Sequence, residues 1–385
     1  MQTFVYSTRR TTQTQSRSLN LRAAAAVAAC LLASSGAEAQ SSVTLYGNID
    51  VGVSYVNNSE GQQQYRMTSA VKNPSMWGLI GNEDLGGGNA AIFRLESGFD
   101  ADTGAMSGGL EFNRQSYVGI RSNDWGTVTL GRQWSPVTDL VSPFALVGTI
   151  GPWYYAHLND MDDLGFSFSI PNAVKYTSPT FGGLKAEGMY ALGGQAGRFS
   201  DNSVYSGGLA YSIGGFSAAA AYIRINNPAT TVGAYLSGDG FTNSIYGAAE
   251  VNARSNGTFA LGASYTLGAV ELMGNFTDVR FQQAFGNSAL KFQNYEAAVI
   301  YNLTPAWVLN AGYTYTHGHN DQSAQVTTYQ QINLGANYNL SKRTVVYAAI
   351  ALQRASGNTD AQISGFNPSS TPKQVAAHIG LSQAF

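Results

Sequence analysis

Gln374-Val375-Ala376-Ala377-His378-Ile379-Gly380-Leu381-Ser382-Gln383-Ala384-Phe385 is the stretch that decides the fold. Val375, Ala377, Ile379 and Leu381 fall on one parity; Gln374, His378, Gly380 and Ser382 fall on the other. Successive side chains of a strand point to opposite faces, so this alternation is a strand with one apolar and one polar face. It stops on an aromatic, Phe385, with no tail beyond it. We expect such a strand to be the last of an outer-membrane β-barrel, apolar toward lipid and polar toward water.

The pattern recurs upstream. Val43, Leu45, Ile49, Val51 and Val53 alternate with Thr44, Asn48, Asp50 and Ser54. Further strands read at about 75–82, 90–98, 112–121, 127–133, 173–179, 184–191, 204–213, 216–225, 258–266, 269–279, 292–301, 306–316, 327–338, 343–353 and 373–385. With 43–56 they make sixteen, an even number that leaves both ends on the periplasmic side. The connections are alternately short and long. Gly214-Gly215 and Leu267-Gly268 are typical short turns, and 57–74, 134–172, 226–257 and 354–372 are among the long loops. Short turns on one side and long loops on the other are the asymmetry of an outer-membrane barrel. The fold class expected is all-β, a sixteen-stranded antiparallel transmembrane barrel.

Residues 1–39 read as a cleaved secretory signal. Arg9, Arg10, Arg17 and Arg22 form a basic start, Leu21 to Ala33 an apolar run, and Ala37-Glu38-Ala39 a cleavage site. Residues 40–385 are then the barrel domain, and the only cysteine, Cys30, leaves with the signal. Outside the signal, 17 basic and 22 acidic residues give a net charge of −5, which is no nucleic-acid footprint. Charged residues are 11% of the chain, far below the roughly 25% of a soluble domain. Past the signal no apolar run is long enough for a membrane helix. A soluble β-sandwich or β-helix would also alternate, but the export signal, the terminal Phe385 and the strand count argue against it.

The loop 134–172 stands apart. It carries four prolines, the aromatics Phe144, Trp153, Tyr154 and Tyr155, and the carboxylates Asp139, Asp160, Asp162 and Asp163. A long loop with its own apolar anchors seldom hangs in solvent. We expect it to fold into the barrel, its aromatics on the inner wall and its carboxylates toward the channel.

Enzyme and cofactor motifs are not found: no G-x-S-x-G, phosphate-binding loop, H-E-x-x-H or C-x-x-C occurs. Asp160-Met161-Asp162-Asp163 lacks the spaced ligands and closing Glu of a calcium loop. His317 and His319, expected in a surface loop, are too few for a built metal site. No metal, cofactor or catalytic set is therefore expected. A rim or lipid-facing serine within reach of His157 or His378 would be the sign of a hydrolytic barrel.

Several motifs resemble the Gram-negative general-diffusion porin family of the betaproteobacterial type. They are Val43-Thr44-Leu45-Tyr46-Gly47, Gly81-Asn82-Glu83-Asp84-Leu85-Gly86-Gly87-Gly88, Phe112-Asn113-Arg114-Gln115-Ser116-Tyr117-Val118-Gly119, Leu130-Gly131-Arg132-Gln133, Val174-Lys175-Tyr176-Thr177-Ser178-Pro179 and the end from Gly380-Leu381 to Phe385. They span the chain after the signal in the family's order. The resemblance implies a homotrimer in the outer membrane among lipid and lipopolysaccharide, with the third loop as the constriction. It also implies that the strand ending at Phe385 is read by the barrel-assembly machinery. Three positions depart from the family. Met76 and Ile80 stand where it usually has Arg and Lys, and Phe168-Ser169-Ile170-Pro171 lacks a usual Arg.

Parity assigns the wall charges. Met76 and Ile80 oppose Trp77 and Leu79 and should line the channel, as should Arg94, Glu96, Lys175 and Asp50. Arg114 is ambiguous: Tyr117 suggests an inward side chain and Val118 and Ile120 an outward one, and the resemblance favours inward. Arg132 should face out, where the resemblance places a subunit interface. The function expected is passive diffusion of small hydrophilic solutes. Loop carboxylates opposing wall cations set up a transverse field, and a thinned basic ladder gives weak selectivity leaning to cations. Met76, Ile80, Trp153, Tyr154 and Tyr155 would add an apolar strip. The alternative is a structural or adhesive surface protein acting through its long loops.

Overall fold

A computed structural model of the chain describes residues 41–232, 246 and 252–385. The signal expected at 1–39 lies outside the described residues, as does most of the long connection 226–257. The wall begins with β1 (Ser42–Ser59), β2 (Gln62–Ser69), β3 (Met76–Gly86), β4 (Asn89–Gly98), β5 (Gln115–Ser122) and β6 (Gly126–Gln133). It continues with β7 (Ile170–Thr177), β8 (Leu184–Ala191), β9 (Val204–Ile213), β10 (Phe216–Asn226) and β11 (Ser255–Leu267). The last six are β12 (Val270–Phe285), β13 (Ser288–Asn302), β14 (Trp307–Asn320), β15 (Gln325–Asn339), β16 (Thr344–Ser356) and β17 (Lys373–Ala384).

Neighbouring strands are antiparallel, and β1 pairs with β17 from Asn48↔Ala384 to Val56↔Ala376, which closes the sheet into a barrel. Closure leaves no open edge, which a membrane-spanning sheet requires. At the seam Gly47 and Phe385 exchange both backbone hydrogen bonds, at 3.2 and 3.0 Å. The Phe385 ring lies over Gly47, where an added Cβ would stand only 2.4 Å from its Cζ.

The count of sixteen holds for the wall, with one strand more. The lower half of β1 pairs with β3, from Ser42↔Asn82 to Asn48↔Met76. Its upper half pairs with β2, from Val51↔Ser69 to Ser59↔Gln62. β2 and β3 thus share one wall position, one above the other. The stretch 57–74, expected to be a loop, is therefore largely hairpin. The break between β2 and β3 falls at Val71-Lys72-Asn73-Pro74. Pro74 has no N–H to give, and the N–H groups of Val71, Lys72 and Asn73 turn to the Asp50 carboxylate at 3.0, 3.3 and 3.3 Å.

Burial follows parity with polarity inverted relative to a soluble protein. On β17, Gln374, His378 and Ser382 are buried, while Ile379 and Leu381 are exposed. β13 buries Asn294 and Glu296 and exposes Tyr295. Polar side chains line the inside and apolar ones the outside, as a lipid-facing wall demands. The β12–β13 and β14–β15 hairpins extend further than their alternation suggests, so His317 and His319 lie on β14 rather than in a loop.

Candidate functional site

The loop between β6 and β7 enters the barrel. It starts with a short helix, α1 (Pro136–Val141), in which Pro136 takes the first turn and the Ser135 hydroxyl accepts from Thr138 N–H at 3.3 Å. Three 3₁₀ turns follow, at Ser142–Phe144, Trp153–Tyr155 and Leu158–Asp160. Val137, Val141, Leu146 and Leu164 are fully buried. They pack against alanines, valines and isoleucines of the inner wall, among them Ala219, Ile223, Ala298 and Ile300. Full burial of each aliphatic side chain contributes roughly 1.5–3 kcal/mol. Small wall residues make room: a Cβ at Gly312 would come within 2.6 Å of Leu146 Cδ1.

Polar groups fix the loop at several heights. Leu146 N–H donates to Glu296 at 3.0 Å, and Asn275 donates to the Phe144 carbonyl at 3.0 Å. Gln331 donates to the Tyr154 carbonyl at 2.9 Å, and the Tyr155 hydroxyl to the Leu334 carbonyl at 2.5 Å. The Tyr154 hydroxyl meets Ser54 Oγ at 2.5 Å. Tyr154 and Tyr155 are thus anchors, not the channel surface expected of them; Trp153 is half-buried.

The loop carboxylates also differ from expectation. Asp160, Asp162 and Asp163 are all buried, at 0, 1 and 2% exposure, instead of facing the channel. Asp160 accepts from Gly165 N–H at 2.8 Å and from the Ser167 hydroxyl at 2.5 Å. Asp163 accepts from Thr138 at 2.7 Å and from Phe168 N–H at 3.0 Å. Asp162 accepts from Thr277 of β12 at 2.6 Å and lies 2.6 Å from His157 Nδ1, while His157 Nε2 lies 3.2 Å from Glu296 of β13. The physical reason is that a loop pressed on a wall must satisfy its own backbone and hydroxyl donors, and these carboxylates do so. Burial, with Asp162 nearby, pushes Asp160 up to about 7. Burial and then Asp160 push Asp163 well above the usual carboxylate range. Burial also acts on Asp162, but His157 outweighs it and holds that group low. Burial opposes a charged His157, yet Asp162 and Glu296 raise it to about 10. The core of the loop is an imidazolium between two carboxylates, with two further acids whose burial favours the protonated form. Glu296 escaped the sequence reading; its inward parity opposite Tyr295 was its only signal.

Asp139, the fourth loop carboxylate, is less buried than these three. It pairs with Lys175 at 2.5 Å, with the two side chains 25% and 11% exposed. Burial first, offset in part by Lys175, places Asp139 at about 6. Asp50 is fully buried, holding the 71–73 backbone and accepting from Tyr347 at 2.8 Å, so it is no free channel charge. Arg94 and Glu96 share the inner face of β4 at 3.7 Å, and Glu96 accepts from Tyr46 at 2.5 Å and Gln115 at 2.9 Å. Met76 and Ile80 lie on the inner face of β3, with Ile80 opposite Arg94 across the ladder. Arg114 comes just before β5, and its guanidinium sits over the Trp134 ring at 5.1 Å. Arg114, Arg132, Lys72 and Trp153 line one pocket of about 710 Å³. Arg132 Nε donates to the Asn113 carbonyl at 2.7 Å.

The serine test gives a mixed answer. Ser54 Oγ lies 2.8 Å from His378 Nδ1, and His378 Nε2 lies 3.0 Å from the Tyr347 hydroxyl. Ser54 is neither at the rim nor facing lipid: it is fully buried and already engaged by Tyr154 and Thr68. This chain of contacts stitches β1, β16, β17 and the third loop together.

Comparison with known proteins agrees with this geometry. The family model described as Gram-negative porin matches residues 23–358. The outer membrane porin protein 32 of Delftia acidovorans is 31% identical, over 93% of this chain and 99% of its own. A major outer membrane protein P.IB of Neisseria meningitidis is 34% identical over 49% of this chain and 55% of its own. Among solved structures, the anion-selective porin from Comamonas acidovorans matches with a TM-score of 0.74 and 26% identity, over 90% of this chain and 100% of that one. A sixteen-stranded wall with its third loop folded inside, matched over nearly its whole length, places this chain in the Gram-negative porin family, as a channel of the outer membrane.

Proposed function

We propose that the channel passes small hydrophilic solutes and ions by passive diffusion, with weak charge selectivity. The observation that carries this reading is the docked third loop. It narrows the lumen while its anchors lie on the wall behind it. What remains toward the water is a mixed lining: Arg94 beside the buried Glu96, Arg114, the Asp139–Lys175 pair, and Met76 and Ile80. A cation lean rested on four loop carboxylates facing the lumen, and three of them are buried. The revised proposal is near-neutral selectivity leaning to anions, because Arg94 and Arg114 outnumber the one carboxylate between them. Planar-bilayer recording tests both levels. Stable conductance steps with a small reversal potential in a salt gradient are expected. Absence of steps would leave a structural or adhesive role, and a strong cation potential would reject the charge assignment.

We also infer that the chain works as a homotrimer, meeting its copies through β1, β3–β6 and β17, with the second loop, 99–111, reaching to the neighbour. The support is the family membership and the exposed Met106 and Leu110 on that loop. Delivery by the barrel-assembly machinery through the strand ending at Phe385 belongs to the same proposal. Cross-linking in native membranes would give trimers if it holds and monomers if it does not.

A further inference from the structure

The wall cations of the proposed lining are held in different ways. Arg94 has Glu96 at 3.7 Å, and Lys175 has Asp139 at 2.5 Å. Arg114 has no such partner: among the described residues its guanidinium enters no ion pair, and its Nε finds no hydrogen-bond acceptor. The carboxylate that bears on it, Glu96, is already taken up by Arg94, Tyr46 and Gln115. What holds Arg114 is the face of Trp134, with 5.1 Å from its Cζ to the ring centroid. A π face attracts a cation through its quadrupole and carries no net charge. A carboxylate in that place would cancel the charge it fixed. Trp134 fixes the guanidinium and leaves both its positive charge and its N–H fork open to a passing anion.

The surroundings fix Trp134 from every side. It is the first residue after β6 and is 6% exposed. Its neighbours Gln133 and Ser135 are buried; Gln133 donates to the Ala173 carbonyl at 3.3 Å, and Ser135 caps α1. The Trp134 carbonyl accepts from Lys175 Nζ at 3.1 Å, so this one residue touches two of the wall cations. The indole has Phe166 edge to face, with ring centroids 5.4 Å apart at 77°. Phe166 comes from the far end of the third loop and has φ +65°, a left-handed conformation that a bulky side chain rarely adopts. Asp160 pins it there, accepting from Gly165 N–H at 2.8 Å on one side and from Ser167 N–H at 3.3 Å on the other. The two ends of the loop thus meet at the ring that carries Arg114. Strain held in place by its surroundings at such a point is a sign of function. Arg114 and Phe166 line the pocket described above, and Trp134 stands apart from that lining.

We propose that Trp134, steadied by Phe166, is the positioning residue for Arg114: its π face sets where the channel's uncompensated cation stands, and through it the preference for small anions. The inference rests on the near-neutral, anion-leaning selectivity proposed above and names the residue that maintains it. Trp134 touches no solute and acts only through Arg114.

The test uses the purified full-length protein in planar bilayers, with the reversal potential read in a potassium chloride gradient. Position 134 is filled by nonsense suppression with tryptophans carrying progressively more ring fluorines. Fluorine drains the π face and leaves the size of the ring nearly unchanged, so a purely structural role would leave the potential where it was. The anion preference should instead fall step by step along the series. Trp134→Leu should give roughly half or more of the shift that Arg114→Gln gives, and Trp134→Tyr, which keeps a π face, should stay close to the wild type. In an Arg114→Gln background neither fluorination nor Trp134→Leu should move the potential further. A flat fluorinated series, a Tyr variant as altered as the Leu variant, or an undiminished Trp134→Leu shift without Arg114 would each overturn the proposal. Should Trp134→Leu fail to assemble, the fluorinated series decides alone. If Arg114→Gln itself moves nothing, the selectivity reading falls together with this inference; if it moves the potential and fluorination does not, only the positioning role is rejected.

Discussion

The Nδ1 of His157 lies 2.6 Å from the Asp162 carboxylate, and both side chains are sealed from solvent between the third loop and the wall. With Glu296 on the other ring nitrogen, this is a buried charge held by opposite charge on two sides. Removing one member of such a set strands the others in low dielectric, at about 3–5 kcal/mol. His157→Leu should therefore loosen the loop. Single-channel traces should turn noisy, and the melting temperature of the barrel should fall. Quiet traces at the wild-type melting temperature would show that the cluster does not secure the loop.

The same cluster sets a pH dependence with a definite sign. His157 is raised to about 10, so its contribution to docking is complete below its ordinary range near 6.5 and disappears as pH rises through 10. Asp160, raised to about 7, favours the docked loop while protonated and turns unfavourable between about pH 4 and 7. Both effects point one way. Docking should be firmest at mildly acidic pH and weaken toward alkaline pH. Protease cleavage within 146–168 should rise from pH 5 to pH 9; a fall would contradict the assignment.

Of the four loop carboxylates only Asp139 keeps partial exposure, so its charge is the one expected to act on ions. Asp139→Asn should shift the reversal potential toward anions, since Lys175 is left uncompensated. Because Asp139 titrates at about 6, acidifying the wild-type channel from pH 7.5 to pH 5 should move the potential in the same direction. No shift in either experiment would place the pair away from the ion path.

Met76 pairs with Asn48 across the β1–β3 ladder, on the face of β3 opposite the exposed Trp77. Met76→Arg should strengthen anion preference and lower conductance, read again as a reversal potential in a salt gradient. An unaltered potential would mean that the constriction lies elsewhere along the wall.

Arg132 donates to the Asn113 carbonyl and so braces the end of the second loop. Hydrogen bonds from a charged donor contribute about 1.5–3 kcal/mol. Arg132→Ser should lower the temperature at which trimers dissociate, while the isolated barrel loses less. Equal losses for trimer and barrel would confine its role to a single subunit.

Much of the wall was legible because period-two alternation is a local property, and burial along most of β13, β16 and β17 follows it. β2 was missed for a local reason as well: it opens on Gln62-Gln63-Gln64, and Tyr65 and Met67 alone are too few to reveal an apolar face. The loop's entry into the barrel was legible from its aromatics, but the destination of its carboxylates was not. A carboxylate facing water and one accepting from Gly165 and Ser167 look alike in sequence. The wall partner Glu296 is far from His157 in the chain, and only the fold brings the two together.

The seam of Gly47 and Phe385 also keeps time. Every other rung of the wall joins strands that are close in the chain, whereas this one joins positions such as Asn48 and Ser382, 334 residues apart. Closing so long a loop costs about 4 kcal/mol more entropy than closing a short hairpin. The hairpins therefore have a head start, and the β1–β17 rung should be the last to form. Until it does, two strand edges with unspent hydrogen bonds are on offer to any template that can hold them. The Phe385 ring settling over Gly47 marks the moment at which that offer is withdrawn.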